Sequence, residues 1–225
     1  MTGIVQYTKD FSPIRTLAIS GVAPGADRQL AYIGHRGNSI MFAAAQQGLT
    51  GLELWVIDGG TLYLLKTLVT LTGNDTFQGV MHNRGVIYGI IRDTVAGQTK
   101  VRAYDPFTGG QNWTNGTGTA DLMGIIYDQK WLYMLNKTAG NIQQRNLEGS
   151  TTPLNRAVTF SSTDCKSLTY DGAFFWMTEN TGSKRILQCM RIGTSILISK
   201  ASNLNTLTNA FGIMTDRNYL YVWES

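Results

Sequence analysis

Four segments of this 225-residue chain align with one another without gaps, and their spacing constrains the fold more than any other feature. They are Gly79–Tyr88 (GVMHNRGVIY), Gly124–Tyr133 (GIIYDQKWLY), Ser167–Trp176 (SLTYDGAFFW) and Gly212–Tyr221 (GIMTDRNYLY). Each opens on Gly or Ser followed by an aliphatic residue, carries Asn or Asp at its fifth position and closes on Tyr or Trp. A fainter copy runs from Ile33 to Phe42. The unit reads as a β-hairpin. Asn, Asp and Gly accept turn conformations, and the flanking β-branched and aromatic residues suit a pleated, half-buried surface.

Behind each hairpin comes a third strand-like run, such as Leu52–Gly59, Lys100–Pro106, Asn141–Glu148 and Arg185–Gly193. A fourth follows, clearest at Leu62–Leu68 and Ser195–Ile198. Four short strands in about 45 residues is the blade of a β-propeller. The closing aromatics Phe42, Tyr88, Tyr133, Trp176 and Tyr221 recur at intervals of 46, 45, 43 and 45 residues. The last repeat stops after its second strand, and the N-terminal runs Ile4–Thr8 and Pro13–Ala18 match its missing outer strands. The expected fold is therefore an all-β, five-bladed β-propeller with four antiparallel strands per blade, closed by N-terminal strands that complete the C-terminal blade. One domain spans 1–225, with blades near 27–70, 75–117, 121–160, 164–203, and 209–225 joined to 1–26. A closed ring leaves no open sheet edge.

Composition narrows the function classes. Charged residues make up 15%, against a usual ~25%, and the net charge is +4 with Lys and Arg scattered. No basic stripe with interleaved aromatics marks a nucleic-acid surface. No run approaches the ~18 apolar residues of a spanning helix, and the first ten residues lack the apolar core of a secretory signal. Synthesis in the cytoplasm without a signal peptide, and no membrane insertion, are expected. Cys165 and Cys189 fall on the first and third strands of one blade, too far apart for a disulfide, and are expected to be free thiols.

In a propeller the first strand of each blade lines the central channel. The stretches 79–82, 124–127, 167–170 and 212–215 carry no carboxylate, so the paired acids of a glycosidase are not expected there. His35 and His82 stand just before two hairpin turns with neither a nucleophile pattern nor metal spacing. No catalytic residue, metal or cofactor is expected. Asp27, Asp75, Asp121, Asp164 and Asn209 each precede a first strand and could form a polar ring at one channel mouth, holding a cation or sugar hydroxyls. The competing reading is turn capping through nearby main-chain N–H groups.

The hairpin unit, as in Leu168–Trp176, lacks the Gly-His and Trp-Asp marks of WD repeats and the paired glycines of kelch repeats. With the richness in Thr, Asn and Gly and the low charge, it resembles the propeller modules of tailed-phage virions, carried by tail nozzle and adsorption proteins. The resemblance implies a non-enzymatic structural protein, a virion component that docks on other protein subunits. The alternative is a lectin-like binder of surface glycan, similar in plan to five-bladed tachylectin. A lectin of that kind predicts matching loops in every blade, whereas Pro106–Gly110 and the corresponding 149–153 connection differ. A small-molecule lyase using His82 and Tyr127 is a third reading.

Overall fold

The computed structural model describes residues 3–20, 28–46, 48–118, 121–146, 154–158, 164–180, 184–203 and 209–224. Asp27 and the 149–153 connection lie outside them. Two N-terminal strands, β1 (Gly3–Tyr7) and β2 (Pro13–Ser20), come first. Blade 1 holds β3 (Arg28–Arg36), β4 (Ser39–Gln46), β5 (Gly51–Asp58) and β6 (Thr61–Thr70). Blade 2 holds β7 (Asp75–Asn83), β8 (Val86–Asp93), β9 (Thr99–Tyr104) and β10 (Gln111–Gly118). Blade 3 holds β11 (Leu122–Tyr127), β12 (Leu132–Asn136), β13 (Asn141–Arg145) and β14 (Leu154–Val158). Blade 4 holds β15 (Cys165–Tyr170), β16 (Phe175–Glu179), β17 (Arg185–Ile192) and β18 (Ser195–Asn203). Blade 5 begins with β19 (Ala210–Thr215) and β20 (Leu220–Glu224). As expected, β1 completes it, pairing with β20 from Gly3↔Glu224 to Tyr7↔Leu220, and β2 lies outermost.

The first strands close a ring: β3 touches β7, β7 touches β11, β11 touches β15, β15 touches β19, and β19 returns to β3. The opening Gly or Ser of the repeat has its reason here. A Cβ on Gly212 would lie 2.0 Å from the carbonyl oxygen of Arg28 in the next blade, and one on Gly79 would lie 2.8 Å from the Gly124 nitrogen. Ser167 occupies the same place in blade 4, and its hydroxyl accepts the Ile213 N–H at 3.2 Å. Any larger side chain would push neighbouring blades apart.

The aspartates at the fifth position each do two jobs. In blades 3, 4 and 5 one carboxylate oxygen accepts two turn N–H groups, from Lys130 and Trp131, Ala173 and Phe174, and Asn218 and Tyr219. The other oxygen of Asp128 accepts the Tyr133 hydroxyl at 3.0 Å, and that of Asp216 accepts the Tyr221 hydroxyl at 3.0 Å. In blade 4, where the closing aromatic is Trp176, this oxygen takes Lys9 Nζ at 2.6 Å from the β1–β2 turn. In blades 3 and 5 the turn residue and the closing tyrosine are thus one hydrogen-bonded unit.

The core is divided among five apolar clusters, one between each pair of neighbouring blades. At the seam between blades 5 and 1, Trp55, Trp223 and Phe42 are fully buried around Arg28, which is only 2% exposed. The Arg28 guanidinium lies 4.6 Å from the Trp223 ring centre and 5.5 Å from that of Trp55, and its Nε donates to Glu53 at 2.9 Å. Outer strands of adjacent blades also meet: β2 runs parallel to β6 over Ala18↔Thr61 to Ser20↔Tyr63, and β14 parallel to β18 over Ala157↔Ser195 and Val158↔Ile196. Cys165 and Cys189 are both free and buried, separated by the intervening β16.

Candidate functional site

The five first strands end at hairpin turns on one face of the ring, and there the channel widens into a cavity of about 560 Å³ lined by all five blades. Its deep wall is apolar, with Leu30, Val80, Ile125 and Leu168. Its upper wall carries Tyr32, His82, Tyr127, Tyr170 and Thr215. Toward the opposite face, buried Gln29 of blade 1 reaches across to donate to the Lys166 carbonyl of blade 4, which is not a neighbour of blade 1.

The upper wall is held in place by its own hydrogen bonds. The Tyr127 hydroxyl donates to the Gln129 carbonyl and the Tyr170 hydroxyl to the Gly172 carbonyl, each at 2.7 Å. Burial raises the pKa of the Tyr32 and Tyr170 phenols, so both are un-ionised near neutral pH. His82 hydrogen-bonds to the Tyr32 main chain, but burial outweighs that bond and lowers its pKa, favouring the neutral imidazole. His35, its counterpart in sequence, is exposed with its ring 5.6 Å from that of Tyr32.

The turns at the rim show a backbone peculiarity. Each turn has a residue at positive φ: Gly37 (62°), Arg84 (48°) followed by Gly85 (77°), Gln129 (77°), Gly172 (102°) and Arg217 (79°). Glycine adopts this conformation freely, whereas a residue with a Cβ loses roughly 1–2 kcal/mol there. Three of the five positions carry long side chains nonetheless, and all three line the cavity. The repeat alignment holds this signal, since its sixth position reads Arg84, Gln129, Gly172 and Arg217, but it has meaning only once the backbone angle is known.

The residues of the predicted polar ring lie at the other ends of the first strands. Asp75 binds Lys100 at 3.0 Å and Arg102 at 2.6 Å within its own blade, while Asp121 pairs with Arg92 of blade 2. The main-chain carbonyls of Asp121 and Asp164 accept the N–H groups of Lys137 and Asn180, tying the start of each first strand to the end of its second. Asn209 is half-buried in the corresponding place in blade 5. The carboxylates of Asp75 and Asp121 are therefore turned to local cations. His82 and Tyr127, singled out as channel residues, do come together on the cavity wall. Among the described residues no three His, Cys, Asp or Glu side chains gather as a metal site.

No protein-family model and no curated protein matches the chain. Solved structures do. A glutaminyl cyclase from Myxococcus xanthus is 10% identical over 97% of this chain and 93% of its own, with a TM-score of 0.59. A nidogen/laminin complex chain is 15% identical over 93% of this chain and 75% of its own, at 0.56. A putative 6-phosphogluconolactonase from Bacteroides fragilis is 11% identical over 98% and 87%, at 0.54. These proteins differ in what their names describe and share a shape with this chain, and at such identities the likeness shows the fold alone: a five-bladed β-propeller.

Proposed function

We propose that the chain is a non-catalytic docking module, a rigid closed ring that binds another protein subunit of a large assembly through one sector of its outer rim. The observation that carries this reading is a set of exposed large apolar side chains on the outer parts of consecutive blades 5, 1 and 2. Ile14 of β2, Tyr63 and Leu65 of β6, and Phe107 in the outer turn of blade 2 are 46%, 42%, 50% and 62% exposed. Their segments are tied together. Arg15 Nη1 donates to the Gly59 carbonyl at 2.6 Å, β2 pairs with β6, and Lys66 Nζ donates to the Phe107 carbonyl. Single exposed apolar residues are ordinary on a protein surface, but several large ones on adjoining outer segments favour a contact there.

Completing the burial of four half-exposed side chains contributes roughly 4 kcal/mol, against the roughly 8 kcal/mol of a micromolar complex. The partner's own apolar surface has to supply the rest, which a protein subunit does. The absence of catalysis is supported by the way carboxylates at the cavity end are used: Asp128, Asp171 and Asp216 are each engaged by turn N–H groups and a further donor. The setting we propose, a tailed-phage virion assembled from subunits made in the cytoplasm without nucleic-acid or membrane contacts by this chain, draws on the low charge, the Thr, Asn and Gly content and the hairpin unit.

The test is incorporation. Density-gradient fractions of lysates from cells that make the chain should hold it with large particles, as quantified by mass spectrometry. Leu65→Asp with Phe107→Asp should fold with an unchanged circular-dichroism spectrum yet remain in the light fractions. Wild-type chain confined to the light fractions, or variants sedimenting like wild type, would overturn the reading.

A further inference from the structure

The cavity on the ring axis has a division of hydrogen-bonding character that points to a ligand. Its upper wall offers acceptors. The phenol oxygens of Tyr127 and Tyr170 have spent their protons on main-chain carbonyls and retain lone pairs. His82, bonded to the Tyr32 main chain through one side of a neutral ring, has an acceptor nitrogen left. The rim offers the opposite character. Arg84 and Arg217 stand on blades 2 and 5, either side of blade 1, whose own turn has Gly37 at the equivalent left-handed position. Among the described residues neither guanidinium has a carboxylate ion pair.

A ligand that fits must donate several hydroxyl protons inward, present an apolar face to Val80 and Leu168, and carry an anionic group at the rim. We infer that this end of the channel binds an anionic sugar, its ring hydroxyls donating to Tyr127, Tyr170 and His82 and its acid group held between Arg84 and Arg217. The acid is a carboxylate or a phosphate ester, both of which a guanidinium binds through paired N–H donors. The cavity volume falls in the ~300–1,000 Å³ range of small-molecule sites. The strained backbone at Arg84 and Arg217 supports the same assignment. Glycine fits these turns better, so the turn itself gives no reason for a long cationic side chain at either position. The site lies on the axis, away from the outer rim, and stands independently of docking there.

Isothermal titration calorimetry of the full chain at pH 7 with glucuronate, glucose 6-phosphate and glucose tests this inference. Wild type should bind at least one of the two acids at millimolar affinity or better and glucose at least tenfold more weakly; which acid binds distinguishes carboxylate from phosphate. Arg84→Gly with Arg217→Gly should weaken acid binding at least tenfold while the melting temperature holds or rises, because glycine relieves the left-handed backbone. Arg84→Gln with Arg217→Gln should show the same loss of binding with the turn backbone unrelieved. Three results would overturn the inference: no heat from any of the three sugars at millimolar concentration, equal affinity for glucose and the acids, or undiminished acid binding by the glutamine pair. A fall in melting temperature of the glycine pair would show that the arginines serve the turn, and would overturn it as well.

Discussion

Replacing Glu53 by Ala removes the carboxylate that faces Arg28 beside the seam where the ring closes. Arg28 is 2% and Glu53 5% exposed, so water cannot take the place of the missing partner. Glu53 accepts Arg28 Nε at 2.9 Å, Trp55 Nε1 at 2.8 Å and Gln46 Nε2 at 2.7 Å, and all three donors lose it together. Leaving a buried charge without its counter-ion costs about 3–5 kcal/mol. In a chain of this length each kcal/mol shifts the melting temperature by about 2–4 °C, so a drop of roughly 6–20 °C is expected. Differential scanning calorimetry and urea titration both read it. The double change Glu53→Leu with Arg28→Met leaves no charge in the seam and should recover the part of the loss due to the uncompensated guanidinium, while Trp55 and Gln46 still lack their acceptor. A single variant within 1 kcal/mol of wild type, or a double variant less stable than the single, would refute this view of the seam.

Asp128→Ala removes acceptors for the Lys130 and Trp131 N–H groups and for the Tyr133 hydroxyl, and should cost about 2 kcal/mol in urea unfolding. The Glu224 carboxyl is pushed up from its ordinary 4.5 to about 7, chiefly by burial. A pKa raised by folding means stability that is present below about 4.5 and lost as pH rises through about 7. The melting temperature should therefore fall across that window, and fall less in Glu224→Gln. Burial pushes the Cys189 thiol up to about 12 and the Cys165 thiol higher still, so neither should react with a thiol reagent in the native chain at pH 8, while denaturation without reductant should release two.

The parts of this fold that repeat were legible in the sequence, because a contact made in several blades leaves the same residues in several repeats. The Asp-to-aromatic spacing of the hairpin is visible in Asp128–Tyr133 and Asp216–Tyr221, although the hydrogen bond joining them is not. The opening Gly or Ser was visible as a pattern, but its cause, the close approach of Gly212 to Arg28 in the next blade, is a long-range contact with no local signature. Features outside the repeat pattern stayed hidden. The Arg28–Glu53 pair lies within one blade, while the packing of Arg28 on Trp223 and the parallel β2–β6 contact join residues from separate repeats. The polar residues before the first strands recur in the sequence, yet the side chains of Asp75 and Asp121 go to whichever cation is nearest, Lys100 and Arg102 for the first and Arg92 for the second. Nor does the sequence say that Gln29 bonds across to blade 4, or that the cavity lies at the hairpin end.

Hydrogen exchange read by mass spectrometry, on the free chain and on the chain within its particle, tests docking through the rim most directly. Contact through Ile14, Tyr63, Leu65 and Phe107 requires slower exchange in 13–17, 61–68 and 105–110 when the chain is bound. The hairpin turns around Arg84, Gln129 and Arg217 should exchange as they do in the free chain. Slowed exchange at those turns with the rim segments unchanged would contradict docking through the rim and place the contact on the hairpin face instead.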